Sequence, residues 1–414
     1  MALLSYEAAL ELMLVAASPL ESTIIPITAA FGRRLYGEVA AAIDLPRFDN
    51  SQMDGYAVRF EDANDWRDDS KLELKMVGTM AAGSDQSVEL KTGEAIKIFT
   101  GAPMPGGADT VVPIEDVSVS ADGERIIIYA EPVRGQFVRR RGEDVTAGQI
   151  IGRTGNLINA GRIALLLSAG VGEAAVYKKP KVVVLTNGDE LVDPLSLSGE
   201  LLPGQIYESN GAMLGALVTD AGAELAAVIA SPDSETELEE KISTVVREVA
   251  PDLIISSGGV SVGDRDYVRS AVSRLGKIVF WRAAIRPGKP ILYGNVGGTH
   301  FLGLPGNPAS TMVTFELFAR PLLAKVTGGG TANRFIPSRL EVDIEHALGR
   351  RSFVRSITRA TADGLVSKPA GEQGSHFVTS MAGANSLITL PEDVSILKAG
   401  SCVDCLLIGP LADD

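Results

Sequence analysis

The 414-residue chain has two cysteines, three histidines and few aromatic residues (5%), and no apolar run is long enough to span a bilayer. With only Cys402 and Cys405, a disulfide framework is excluded and a cytoplasmic home is the expectation. The CVDC spacing carries no metal site, because residues 402–408 read as a strand and positions three apart then face opposite sides. The scattered His300, His346 and His376 assemble neither a Ser-His-Asp nor a Cys-His nucleophile set, and no zinc site. Positive charge is also lacking: 38 basic against 52 acidic residues leave a net charge of −14. That balance argues against a general nucleic-acid surface. The first twenty residues carry Glu7 and Glu11 and no basic start, so they read as an amphipathic helix ending before Pro19 and not as a leader. No GxxxxGK[ST] loop, strand-linked GxGxxG or internal repeat is present.

What is present, 45% apolar and 22% charged residues, fits a globular protein of two to four domains. Residues up to about 45 read as helical, with a second helix expected around 27–42. Short alternating runs at 72–77, 95–99 and 125–129 predict a β-rich module over 46–140. A helix is expected at 159–168, within a segment (141–178) that joins residues 1–45 in an elongated helical and linker domain. From 179 to 327 strand and helix alternate, which predicts an α/β domain with a parallel-type sheet covered on both faces. After Gly328-Gly329-Gly330, residues 328–414 alternate as a small β-barrel would.

Two glycine-rich loops dominate the α/β region: SSGGVSVGD at 256–264 and GLPGNPAS at 303–310. Each follows an apolar strand pattern, and glycine lets backbone N–H groups surround an anion at such turns. Both loops, with TNGDEL at 186–191, fall beyond strand carboxyl ends, where ligands bind in open α/β sheets. They predict an anionic ligand that carries phosphate. RPGKP at 286–290 adds two cations suited to an oxyanion, and GDRDY adds Asp264 and Asp266. In DNSQMDGYA, Asp54 is either part of an ordinary turn or a carboxylate for Mg2+ or water. Arg139, Arg140 and Arg141 of VRRRGED are either a self-paired solvated face or an oxyanion clamp.

DNSQMDGYA, IFTGAPMPGGADTVVPIED, RRRGEDV, PGQIYESN, SSGGVSVGDRDY, AIRPGKP and GLPGNPAS together resemble, in order and spacing, the MoeA family of molybdopterin molybdenumtransferases, whose animal relative is the E domain of gephyrin. The resemblance implies a MogA-like fold for the α/β domain and the final step of molybdenum cofactor synthesis. In that step adenylylated molybdopterin is cleaved with molybdate and Mg2+, AMP is released, and molybdenum enters the dithiolene. It implies a homodimer in which one subunit's β-module completes the partner's α/β site, with a MogA-like adenylyltransferase and molybdoenzyme cofactor-delivery proteins as further partners, and no nucleic acid or membrane. The alternatives are the preceding molybdopterin adenylyl transfer and a non-catalytic gephyrin-like scaffold.

Carried over by motif, Asp54, Thr100, Asp144, Glu190 and Asp266 resemble the catalytic residues, with Asp54 and Glu190 also implied for the metal. Ser257, Gly258, Gly259, Ser261, Gly263, Asp264, Pro305, Gly306, Asn307 and Pro308 resemble the substrate-binding positions. Arg286, Lys289 and Ser310, with Arg355 and Ser380 from the C-terminal segment, resemble the molybdate-contacting ones. The family often has Lys where Arg286 stands, which keeps the charge, and paired acids where this chain has Asp233-Ser234.

Overall fold

Buried β-branched runs build the central sheet of the computed structural model, which describes residues 3–64, 66–67, 71–84, 88–196, 199–260, 267–330 and 334–413. Four strands are parallel, in the spatial order Glu224–Ser231, Lys181–Asn187, Leu253–Ser257 and Thr299–Leu304. Leu292–Val296 and Lys277–Trp281 continue that sheet with antiparallel pairings, so it is mixed rather than parallel throughout. The tight turn at Gly297-Gly298 explains this, since a hairpin joins neighbouring strands without a crossover helix.

Alternate residues of the central strands feed two cores. Val182, Val184, Ile255 and Leu302 pack on Leu214 and Val218 of helix Asn210–Asp220 and on Phe315 and Phe318. Val183, Leu185, Ile254 and Phe301 pack instead on Leu238 and Ile242 of helix Glu235–Thr244 and on Val268 and Val272 of helix Tyr267–Leu275. Both faces are covered, which is why these strands show no polar alternation. The N-terminal helix, Tyr6–Ala16, is capped by Ser5 and buries Tyr6 in edge contacts with Phe318, Phe335 and Phe353.

The C-terminal segment closes a five-stranded barrel. Phe335–Leu340, Arg351–Thr361, Gly364–Pro369, Ser386–Leu390 and Cys402–Leu407 each pair with two others. Closure leaves none of the five with an open edge, and Leu340, Val354, Ile388 and Val403 fill the interior. Cys402 is exposed and Cys405 buried, as expected of a strand with opposite faces.

These elements belong to one compact unit, Met1–Thr23, Gly32–Tyr36 and Val176–Asp414; a second comprises Ile24–Phe31 and Gly37–Ala175. In the second unit a six-stranded sheet runs in the order Thr110–Pro113, Gly55–Val58, Glu94–Ile98, Leu72–Met80, Arg125–Ile128, Val117–Val119. Helix Ala160–Ser168 is present as predicted, with Asn159 accepting from the backbone N–H of Arg162. The helix expected at 27–42 is not formed. That stretch holds a single 3-10 turn, Ile27–Ala29, and a short strand, Val39–Ala40. Its β-branched residues and Gly32, at φ 76°, favour an irregular path over helix. Among the described residues no helix is long and apolar enough to cross a membrane.

Gly55 of the MDGYA motif lies between two strands, where a Cβ would sit 2.1 Å from the Val112 carbonyl oxygen. Gly55→Ala is therefore expected to part the ladder and to cost about 1–3 kcal/mol or more. A lower urea midpoint checks this; an unchanged midpoint would show that the sheet absorbs the methyl group.

Candidate active site

The carboxyl ends of the parallel strands open into a cleft of about 460 Å³, lined by Glu190, Ser257, Gly258, Gly259 and the Pro305–Pro308 turn among others. Gly258 and Gly259 have φ of 92° and 68°, and a Cβ on Gly258 would stand 2.8 Å from the Asn187 carbonyl oxygen. The backbone can take this turn only without a side chain. Gly258→Ala is expected to weaken pyrophosphate binding by on the order of tenfold. Isothermal titration with inorganic pyrophosphate measures it, and unchanged affinity would remove the loop from the anion site.

Asn210, the first residue of its helix, joins the two glycine-rich loops. Its Nδ2 donates to Ser257 Oγ at 2.8 Å and to the Gly306 carbonyl at 2.7 Å. The Gly306 oxygen can only accept, so the amide orientation is settled by chemistry. Ser257 Oγ donates on to the Pro305 carbonyl at 3.3 Å, and Asn307 Nδ2 reaches Ser375 Oγ at 2.9 Å. Asn210 was not among the residues expected from sequence; its place at the end of PGQIYESN, just before a helical pattern, was the available signal.

The acids at this edge divide their work. Asp189 accepts from the backbone N–H of Asp233, and Glu208 from that of Gly211 at a helix start. Ser234 caps the following helix. Glu190 is exposed and faces the cleft, and a Cβ on Gly188 would come within 2.6 Å of its Oε2. Ser261, Gly263, Asp264 and Asp266 lie outside the described residues.

Arg355 is the most unusual charge in this unit. It projects from barrel strand Arg351–Thr361 and is 1% exposed, as is Ser380. Its Nε donates to Ser380 Oγ at 3.0 Å, and its Nη2 to the carbonyls of Glu372 and Gly374, each at 3.1 Å. Among the described residues Nη1 is buried and meets no hydrogen-bond partner. Burial pushes the guanidinium below its ordinary value, yet an arginine stays charged. Gln373 bonds both backbone polar groups of Arg355, holding the loop around it. Arg286 and Lys289 are partly exposed on the RPGKP segment, whose Pro290 reaches the cleft. Ser310 is buried in helix Pro308–Thr314.

In the second unit Asp54 Oδ1 accepts from both the backbone N–H and the hydroxyl of Thr100, each at 2.8 Å. These two bonds, the amide first, hold the exposed carboxylate below its usual range, and Lys97 adds to the effect. Asp144 is exposed elsewhere, at an open hollow with Leu45, Arg139, Glu143 and Ser168. Arg140 pairs with Asp49 and Arg141 with Asp44, so two of the three consecutive arginines are spent within the fold. Among the described residues no group of three His, Cys, Asp or Glu gathers as a metal cage. That does not conflict with Mg2+, which takes one or two carboxylates and completes its shell with water and phosphate. Asp54, with Oδ2 outside the Thr100 bonds, and Glu190 suit such a role.

A glycine-turned cleft at the carboxyl ends of the parallel strands and a buried arginine on a barrel strand define an α/β protein with a C-terminal β-barrel. Residues 4–170 match the MoeA N-terminal region (domain I and II), 183–325 the "Probable molybdopterin binding domain", and 337–408 the MoeA C-terminal region (domain IV). The "Molybdopterin molybdenumtransferase" of Haemophilus influenzae is 33% identical over 389 residues, 93% of each chain. "Molybdopterin molybdenumtransferase 2" of Mycobacterium tuberculosis is 37% identical over 386 residues, covering 91% of this chain and 93% of that protein. A crystal structure of the molybdopterin biosynthesis MoeA protein from Pyrococcus horikoshii superposes with a TM-score of 0.81 at 32% identity, over 99% of this chain and 100% of that one. The chain belongs to the MoeA family.

Proposed function

We propose that this protein is a molybdopterin molybdenumtransferase, which inserts molybdenum from molybdate into adenylylated molybdopterin and releases AMP. The observation that carries the reading is Arg355, a buried cation beside Ser380 that has, among the described residues, one N–H face unspent and no carboxylate partner. An isolated buried charge costs several kcal/mol, and a bound tetrahedral dianion with four acceptor oxygens offsets it. Arg286 and Lys289 of the RPGKP segment would add positive charge for the oxyanion, and Ser380 would supply a hydroxyl. The glycine turn at Gly258 and Gly259 and the Pro305–Pro308 turn hold the pyrophosphate, with Asn210 fixing one loop against the other.

Asp54 and Glu190 would hold Mg2+, which when bound supplies charge neutralisation on the pyrophosphate. Thr100 keeps Asp54 ionised and aimed. The proposal includes a homodimer in which Asp54 and Thr100 of one subunit serve the Glu190 cleft of the other, and a cytoplasmic setting. Incubating the protein with adenylylated molybdopterin, Mg2+ and molybdate is expected to release AMP only when molybdate is present. Molybdate-independent release, or formation of adenylylated product from ATP and molybdopterin, would overturn the reading.

A further inference from the structure

The amino ends of the parallel strands, at the edge of the sheet opposite the Glu190 cleft, border a second cavity, of about 200 Å³. Asp252, Leu253 and His300 line it where two of those strands begin. Leu322, Leu323 and Val326 of helix Arg320–Val326 form another wall, and Leu20 joins them, its backbone N–H donating to the Val326 carbonyl at 2.8 Å. Leu253, Leu322, Leu323 and Val326 are almost wholly buried, so this lining is a shaped part of the core. No arginine or lysine lines the cavity, which sets it apart from an anion site.

Its two titratable side chains are unequal. His300 Nδ1 shares a hydrogen bond of 2.8 Å with the hydroxyl of Tyr293, and the two rings lie nearly parallel. Burial holds the imidazole below its ordinary value, the charge of Asp252 opposing this only in part, so His300 is neutral near pH 7. Burial pushes the Tyr293 hydroxyl up to about 12, and it stays neutral too. Asp252 spends one oxygen, Oδ2, on the backbone N–H of Lys181 at 2.7 Å. The Lys181 ammonium donates instead to the Val249 carbonyl at 3.0 Å. Among the described residues Asp252 makes no ion pair and its Oδ1 accepts no hydrogen bond. The cavity therefore joins one unspent carboxylate oxygen to an apolar enclosure.

We propose that this cavity binds a small organic cation, a primary ammonium on a compact hydrocarbon body. The ammonium meets Asp252 Oδ1, and the body lies against Leu20, Leu322, Leu323 and Val326. A hydrogen bond between two charged groups at a partly buried carboxylate is stronger than a neutral one, and apolar area removed from water adds to it. The volume is below the roughly 300–1,000 Å³ of sites for drug-sized ligands, which restricts the ligand to a compact one. The site stands at the other end of the strands from the phosphate cleft, so the inference is independent of the molybdate reading.

Methyl NMR of the full-length protein, titrated with benzylammonium, tests it. Saturable shifts of the Leu322, Leu323 and Val326 methyl groups are expected, with benzyl alcohol binding about tenfold more weakly or worse and benzoate not at all. Asp252→Asn keeps an acceptor for the Lys181 N–H and removes the charge. That variant is expected to lose about tenfold in benzylammonium affinity and to bind benzyl alcohol as the wild type does. A melting curve shows whether it is folded; if it is not, the preference of the wild type for the ammonium over the alcohol decides alone. Absence of saturable shifts at these methyl groups, equal affinity for ammonium and alcohol, or full benzylammonium affinity in folded Asp252→Asn overturns the proposal.

Discussion

Replacing Arg355 by alanine is expected to lower molybdate affinity by about 100-fold or more, with the fold retained. The estimate follows from the loss of two charge-assisted hydrogen bonds, each contributing roughly 1.5–3 kcal/mol. The side chain is held for this use: Ser380 orients Nε, the Glu372 and Gly374 carbonyls orient Nη2, and Nη1 is left over. Truncation also leaves a cavity and takes the donor away from Ser380 Oγ and the Glu372 and Gly374 carbonyls, so some loss of thermal stability is expected. A purely structural arginine would give that lost stability with undiminished affinity. Calorimetry with molybdate and a melting curve on the same variant distinguish the two. Lysine at this position is expected to rescue poorly, since a point charge cannot reproduce the planar fork that Ser380 and the two carbonyls shape.

The second large effect is expected at the carboxylates. Asp54→Ala and Glu190→Ala should each reduce AMP release at least about 100-fold while leaving the protein folded, since both side chains are exposed. Mixing the two inactive variants under conditions of subunit exchange is expected to restore part of the activity, because a shared site leaves one intact copy in each mixed dimer. No recovery would place Asp54 and Glu190 in the service of different sites or of one subunit alone. Thr100→Val probes the same corner through acidity. It removes the hydroxyl donor but keeps the backbone amide, which is the larger cause of the lowered Asp54 value. The Asp54 carboxyl is then expected to titrate closer to its ordinary range without reaching it, as followed by carbon NMR. The sign is that of a depressed acid. The carboxylate's favourable contribution is present above its unfolded value and is lost as pH falls through the lower folded one. In the variant that loss is smaller and is complete at a higher pH.

Much of this was legible in the chain because it is local. Strands Lys181–Asn187, Leu253–Ser257 and Thr299–Leu304 are short β-branched or apolar runs bounded by turn residues. Helix Ala160–Ser168 has its cap written beside it in Asn159. The helix expected at 27–42 was misread because apolar spacing alone resembles a helix where the backbone in fact turns at Gly32. The antiparallel edge of the α/β sheet was missed because the two strands it joins look apolar in either direction. Asn210 was passed over because its partners, Ser257 and Gly306, lie 47 and 96 residues away.

Amino-acid order by itself determined the class of ligand, through glycines where the backbone must turn against its usual handedness, and the family, through seven motifs in sequence. Only the tertiary structure decided which charges remain available. Arg140 and Arg141 are matched by Asp49 and Asp44, whereas Arg355 is enclosed by a barrel strand and the loop at 372–374 with part of its fork unmet. Composition counts charges, but whether a charge is spent depends on neighbours within a few ångströms, and those are set by chain segments distant in sequence.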